Sequence, residues 1–352
     1  MEIRTIGVVG TGRMASGIAQ VCVQNSLEVI LFDETEEALG WAEDRILRGL
    51  HRAEQPAAFS LLRKATDLRR LEGCDIVLEC VSYDPEVKRA LLRQLDARIA
   101  PDKVLAVETA ALPVESIASA IENPDRLIGL HFYQPVPIMG LVEVIRPTHA
   151  SEAAAATTVA WVERLGKTAV RCKDSPGFIV NRIARPFLLS AEGLVESGRA
   201  TPADVDKALR KVGRFSMGPF EMLDFAGIEN EFIITRLVYE MLGRPDRLRP
   251  SALEQKLITR GCRGRSNGKG FYVYGDNPPG TVNPLLGELA GKSAKAKASS
   301  REILETVMKA VFTEARAVLD DGIASAEDID TAMRLSLAWP KGPLEWEKEF
   351  QT

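Results

Sequence analysis

The chain has 352 residues, 45% of them hydrophobic and 27% charged, and its mean hydropathy is near zero, which is a globular composition with room for two or three domains. Lys and Arg number 45 against 49 Asp and Glu, a net charge of −4; this excludes a protein built to coat nucleic acid but allows a local basic patch for an anionic ligand. No run approaches the roughly 18 apolar residues of a membrane span. The opening MEIRTIGVVG lacks the regions of a signal peptide, and five scattered cysteines without a C-x-x-C pair suggest neither a metal site nor a disulfide framework. The expectation is a reduced, cytoplasmic chain that binds no metal.

In chain order, Ile6–Val9, Val29–Phe32, Ile76–Val81, Val104–Val107, Leu127–Phe132 and Val142–Ile145 read as strands. Met14–Gln24, Glu36–Gly49 and Glu86–Ile99 carry apolar residues at helical spacing between them. Strands alternating with helices imply a parallel sheet with helices on both faces. Asp174-Ser-Pro-Gly177 breaks this pattern, and from Phe178 the character is helical, with Pro186 expected to kink the first long segment. Thr201-Pro-Ala-Asp204 reads as a helix start. The stretch Asp276–Ser300, with three prolines and the run GKSAKAKASS, reads as a linker or mobile loop.

An internal repeat follows. Gly198, Ala200, Asp204, Asp206, Ala208, Gly218, Pro219 and Glu221 recur as Gly322, Ala324, Asp328, Asp330, Ala332, Gly342, Pro343 and Glu345, all at an offset of 124. Such a unit packs against its copy to cover apolar faces neither buries alone. The fold class is therefore an α/β Rossmann-type N-terminal domain followed by an all-α domain with a partial internal repeat. The expected boundaries are 1–175, 176–275, a linker over 276–300, and 301–352 for the second copy.

Gly10-Thr-Gly12-Arg-Met-Ala15 follows the first strand and opens a helix. Gly10 permits the tight turn, and Gly12 lets backbone N–H groups approach a pyrophosphate at the helix N-terminus. Asp33, 21 residues after Gly12 at the end of the next strand, supplies a carboxylate that bonds a ribose 2′-hydroxyl and repels a 2′-phosphate, so NAD is favoured over NADP. His131 ends the strand Leu127–Phe132, at the edge where open α/β sheets place ligands. Glu143, on the next strand, could orient its imidazole for proton abstraction; the residues alone do not separate that dyad from a buried, satisfied histidine.

The stretches GVVGTGRMASGIAQ, ILFD, DIVLECVSYDPEVKRALLRQLD, IGLHFYQPVPIMGLVEVI, SPGFIVNRI, SMGPFEMLD and GRSNGKGFYVY resemble the L-3-hydroxyacyl-CoA dehydrogenase family over residues 1 to about 275. The 298–352 tail is similar to a partial second helical copy of the multifunctional fatty-acid oxidation proteins. The resemblance implies NAD as cofactor, an acyl-CoA or related small-molecule substrate, and a site between the two domains. It assigns His131 and Glu143 to the catalytic pair, and Asn181 to a hydrogen bond with the substrate's 3-oxygen. It assigns Gly10, Gly12, Met14, Asp33, Val81 and Lys88 to the cofactor; a core role for Met14 and a solvated helix position for Lys88 stay open. His51 and His149 match nothing catalytic. Arginines within Arg45–Arg70 are candidates for CoA phosphates on charge alone, as is a solvated helix face.

Three positions depart from the family pattern. Ala110 stands where a serine is usual, Gln134 where an asparagine is usual, and Tyr83 where a glutamate is usual. A missing oxygen donor costs about 10²–10³ in turnover. The expected activity is NAD-dependent interconversion of L-3-hydroxyacyl-CoA and 3-oxoacyl-CoA in fatty-acid β-oxidation. A dehydrogenase of another hydroxy acid or carrier-bound substrate, and a catalytically weak NAD-binding protein, are the alternatives. No nucleic-acid or membrane partner is expected, and the reading leans toward a homodimer.

Overall fold

The computed structural model describes residues 3–81, 84–275, 280–289 and 297–351. Two compact units divide the chain, 1–178 and 179–352.

The first unit is an eight-stranded sheet with flanking helices. Its elements are β1 (Thr5–Val9), α1 (Arg13–Gln24), β2 (Glu28–Phe32), α2 (Glu36–Arg52), β3 (Leu62–Ala65), β4 (Ile76–Glu79), α3 (Pro85–Asp96), β5 (Val104–Glu108), α4 (Glu115–Ala118), β6 (Leu127–Phe132), β7 (Leu141–Arg146), α5 (Glu152–Arg164) and β8 (Thr168–Lys173). The strand order is β3-β2-β1-β4-β5-β6-β7-β8. The reversal between β1 and β4 is the place where open sheets hold nucleotides.

The strands form because β-branched and aliphatic runs are buried on both faces. β4 and β6 have no exposed residue. The helix starts are set by side-chain oxygens: Thr35 accepts from the Ala38 N–H at 3.2 Å, Asp84 from Glu86 at 2.8 Å and Ser151 from Ala154 at 3.2 Å, each satisfying a donor the helix leaves open. Trp161 of α5 is fully buried against Phe132, ring centroids 6.2 Å apart.

Two features correct the reading from sequence. The sheet is not wholly parallel, because β7 runs antiparallel to β6. β3, α5 and β8 were not anticipated: LRKA offers two charged residues in four, and TAVRCK alternates exposed and buried positions at a sheet edge, so neither carries a long apolar run.

The second unit contains α6 (Val180–Glu196), α7 (Pro202–Lys211), α8 (Pro219–Ala226), α9 (Ile228–Met241), α10 (Ala252–Thr259), the short antiparallel pair β9 (Tyr272–Val273) and β10 (Thr281–Val282), α11 (Leu286–Leu289), α12 (Ser300–Asp320), α13 (Ala326–Leu337) and α14 (Pro343–Gln351). α6 runs on through Pro186. Part of the expected linker is ordered secondary structure, since β10 and α11 lie within it; residues 276–279 and 290–296 lie outside the described residues.

The repeat is a structural one, carried by capping. Asp206 accepts from the backbone N–H groups of Phe220 and Glu221 at 3.0 and 3.1 Å. Asp330 accepts from Leu344 at 2.8 Å. Glycine is required beside each aspartate: a Cβ on Gly218 would lie 2.3 Å from Asp206, and one on Gly342 2.2 Å from Asp330. Glu221 and Glu345 in turn accept from the Gly218 and Gly342 N–H groups at 3.0 and 2.8 Å. Gly198 and Gly322 follow α6 and α12 in the left-handed region, φ 69° and 61°. α12 packs along α6 and α7, so both copies share one core.

Candidate active site

The turn between β1 and α1 is tight because Gly10 has φ +109°, and a Cβ there would lie 2.7 Å from the Cys80 carbonyl oxygen. Gly12, the N-cap of α1, faces open space. That space, at a helix N-terminus with free N–H groups, fits a pyrophosphate. Thr11 Oγ1 donates to Asp33 Oδ2 at 2.7 Å. Asp33, Gly10, Val81, Val87 and Gln94 line one cleft of about 450 Å³; its acid and apolar wall suit a ribose and an adenine ring. Met14 is half-buried and packs on the core.

Arg45 reaches from α2 to this turn, its Nη1 donating to the Thr11 carbonyl at 2.9 Å and to Ser16 Oγ at 2.6 Å. It braces the glycine turn, a role that only tertiary packing reveals. Lys88 is not a solvated helix lysine. It is 2% exposed, and its Nζ donates to Glu79 Oε2 at 2.6 Å and to the Glu108 carbonyl at 2.9 Å, tying α3 to the ends of β4 and β5.

At the other half of the sheet edge, the antiparallel register sets His131 directly opposite Glu143. His131 Nδ1 and Glu143 Oε2 are 2.5 Å apart, with Glu143 fully buried and His131 5% exposed. A carboxylate on Nδ1 fixes the proton there and leaves Nε2 as the free base. The hydroxyl of Tyr133 donates to the same Oε2 at 2.6 Å, and its ring lies 4.3 Å from the imidazole. Burial beside Glu143 raises the Tyr133 phenol well above its ordinary value, so it stays a donor. Phe178 flanks the imidazole at 6.1 Å. Lys167 is buried, and that burial lowers its pKa; its Nζ donates to the Val136 and Met139 carbonyls at 2.6 and 2.7 Å, pinning the loop between β6 and β7.

Tyr133 carried a usable signal, since positions two apart on a strand share a face. Glu108, the last residue of β5, is also buried here; as one acid in VETAALP it offered no pattern. Ala110 is half-buried and Gln134 exposed, while Tyr83 lies outside the described residues. Asn181 sits half-buried in the first turn of α6, in the second unit. His51 is exposed at the end of α2, and His149 pairs with Glu115 at 3.2 Å. Cys22, Cys74, Cys80 and Cys262 are buried free thiols, and Cys172 is buried. No helix among the described residues is long and apolar enough to cross a membrane.

Residues 5–175 match the profile of the 3-hydroxyacyl-CoA dehydrogenase NAD-binding domain, and residues 177–274 and 303–351 match that of the 3-hydroxyacyl-CoA dehydrogenase C-terminal domain. A 3-hydroxybutyryl-CoA dehydrogenase of Mycobacterium tuberculosis is 38% identical over 283 residues, 77% of this chain and 99% of its own. A 3-hydroxyadipyl-CoA dehydrogenase of Escherichia coli is 31% identical over 434 aligned positions, 98% of this chain and 90% of its own. The crystal structure of 3-hydroxybutyryl-CoA dehydrogenase from Escherichia coli superposes with a TM-score of 0.88 at 29% identity, covering 99% of this chain and 92% of that one. With a dinucleotide turn at one half of the sheet edge and matches that run through both units, the chain belongs to the 3-hydroxyacyl-CoA dehydrogenase family and is an NAD-dependent oxidoreductase.

Proposed function

We propose that the chain interconverts an L-3-hydroxyacyl-CoA and the 3-oxoacyl-CoA, with His131 as the acid–base group. The observation that carries this reading is the 2.5 Å pairing of His131 Nδ1 with the fully buried Glu143. In the oxidative direction His131 Nε2 takes the 3-hydroxyl proton as the C3 hydride departs. Glu143 holds the ring in place and offsets the imidazolium charge that results. Bound NAD supplies the hydride acceptor. Gly10, Gly12 and Asp33 hold its adenosine and pyrophosphate portion, Val81 and Met14 add apolar contact, and Lys88 supports the site through Glu79 and Glu108. Asn181 donates to the 3-oxygen. The NAD-binding part is taken to end near residue 175.

The relatives named for hydroxybutyryl-CoA and hydroxyadipyl-CoA support a short acyl-CoA. We place the reaction in fatty-acid β-oxidation in the cytoplasm, carried out by a homodimer. Ala110, which offers no side-chain donor, favours a second reading in which the substrate is another hydroxy acid or a carrier-bound hydroxyacyl group. Loss of NADH absorbance with acetoacetyl-CoA decides between them. Turnover that falls by about 10³-fold or more in His131→Gln supports the first. Inactivity on CoA esters with turnover of other 3-hydroxy acids supports the second, and full activity in His131→Gln refutes the acid–base assignment.

A further inference from the structure

The first turn of α6 carries Asn181, and two usual means of fixing such a turn are absent from the helix. Ile179 at the N-cap has no side-chain oxygen to accept from the open N–H groups. Pro186 has no N–H to give the Arg182 carbonyl, so the helical ladder skips that rung. Two arginines hold the turn instead. Arg185 Nε donates to the Asn181 carbonyl at 2.9 Å, and its Nη2 donates to Glu231 of α9 at 2.7 Å. Arg182, which follows Asn181 and is buried, reaches the second helical copy. Its Nε donates to Glu314 Oε1 of α12 at 2.7 Å, and its Nη2 to Asp321 Oδ2 at 2.8 Å. Glu314 is fully buried, and its Oε2 accepts from Arg247 Nε at 2.6 Å, so the carboxylate is itself held from two sides.

The two copies differ at these positions. At the offset of 124, α12 has Glu305 and Thr306 where α6 has Asn181 and Arg182, and Glu314 where α6 has Ser190. The Ser190 hydroxyl donates to the Pro186 carbonyl of its own helix. The second copy therefore lacks the amide that would meet a substrate, and has instead a carboxylate that faces the first copy. We propose that Glu314 is a positioning residue for the substrate oxygen: through Arg182 it fixes the turn that aims the Asn181 amide. A donor misplaced by about 1 Å costs up to about 10²-fold in rate. The proposal rests on the role given to Asn181 under the proposed function.

The test is a double-mutant cycle on the full chain. It reads kcat for the substrate the wild-type chain turns over, acetoacetyl-CoA with NADH or another 3-hydroxy acid with NAD. Asn181→Ala should lower kcat by about 10²-fold, and Glu314→Gln by about tenfold. In the Asn181→Ala background Glu314→Gln should change kcat by less than about twofold, because no amide is left to misplace. The Kd for NADH should stay within about twofold throughout. Where Glu314→Gln does not fold, Asp321→Asn at the exposed end of the same clamp repeats the cycle with a loss of about threefold. Equal losses in the two backgrounds would make Glu314 a structural ion-pair partner and overturn the proposal. An undiminished kcat in Asn181→Ala overturns the Asn181 reading itself, and the proposal with it. Amide exchange over residues 180–185, faster in Glu314→Gln than in the wild-type chain, needs no turnover; unchanged exchange also overturns the proposal.

Discussion

The sheet edge and the helical unit bury their acids in different ways. In the helical unit Asp206 accepts from two backbone N–H groups and from the Tyr272 hydroxyl at 2.7 Å, all of them donors whose protons stay where they are. At the sheet edge Glu143 is held by an imidazole and a phenol, and the imidazole can gain and lose a proton. The first arrangement fixes a helix start; the second, in the function proposed above, serves a charge that comes and goes. Glu192 and Glu254 complicate the division. Both are buried in the helical unit, yet neither oxygen of Glu192, nor Oε2 of Glu254, has a hydrogen-bond partner among the described residues. Burial raises both carboxyls above their ordinary range.

Five substitutions test that division, in falling order of effect. Glu143→Gln should reduce turnover by about 10³-fold, about 4 kcal/mol in the barrier, with an unchanged melting temperature; a rate within about threefold of the parent would make Glu143 an ordinary core acid. Asp206→Ala leaves two backbone donors and a phenol without their acceptor, and should cost about 3 kcal/mol in chemical denaturation. Asp330→Ala, at the position with fewer partners, should cost about half as much. Equal losses would show that the two copies bear the same load.

Glu254 gives a pH signature. Burial pushes its carboxyl up to about 8 from 4.5, so the folded chain holds the proton more tightly than the unfolded chain does. Its contribution to stability is complete below about pH 4.5 and is lost as the pH rises through about 8. The melting temperature should fall over that window. In Glu254→Gln the fall should shrink by several degrees, and an unaltered profile would contradict the shift. The smallest effect belongs to Tyr133→Phe. Removing one donor from Glu143 is worth about 1 kcal/mol, or roughly fivefold in turnover, with the acid limb of the pH–rate profile moving to higher pH. A profile that stays in place would make the phenol a packing group only.

Much of this was legible because it depends on local chemistry. Strand Leu127–Phe132 is bounded as expected, since an apolar run between turn residues has few alternatives. The repeat was readable wherever side-chain identity is forced, as at Gly218 and Gly342 beside their aspartates. It was unreadable where the backbone alone is shared. Arg214 and Ala338, also 124 apart, both adopt the left-handed conformation, φ 58° and 51°, although neither residue type announces it. Lys88 and Arg45 were left open because charged helix residues usually face water, and only packing shows which of them are drawn inward.

The sequence alone determined the alternation of strands and helices, the dinucleotide turn, and the duplicated capping unit, since each is encoded within a few neighbouring residues by spacing, turn chemistry or caps. The tertiary structure decided that β7 runs against β6. That choice brings Glu143 and Tyr133 onto one imidazole. Strand direction and register follow from the packing of the whole sheet, and no local pattern around His131 specifies them.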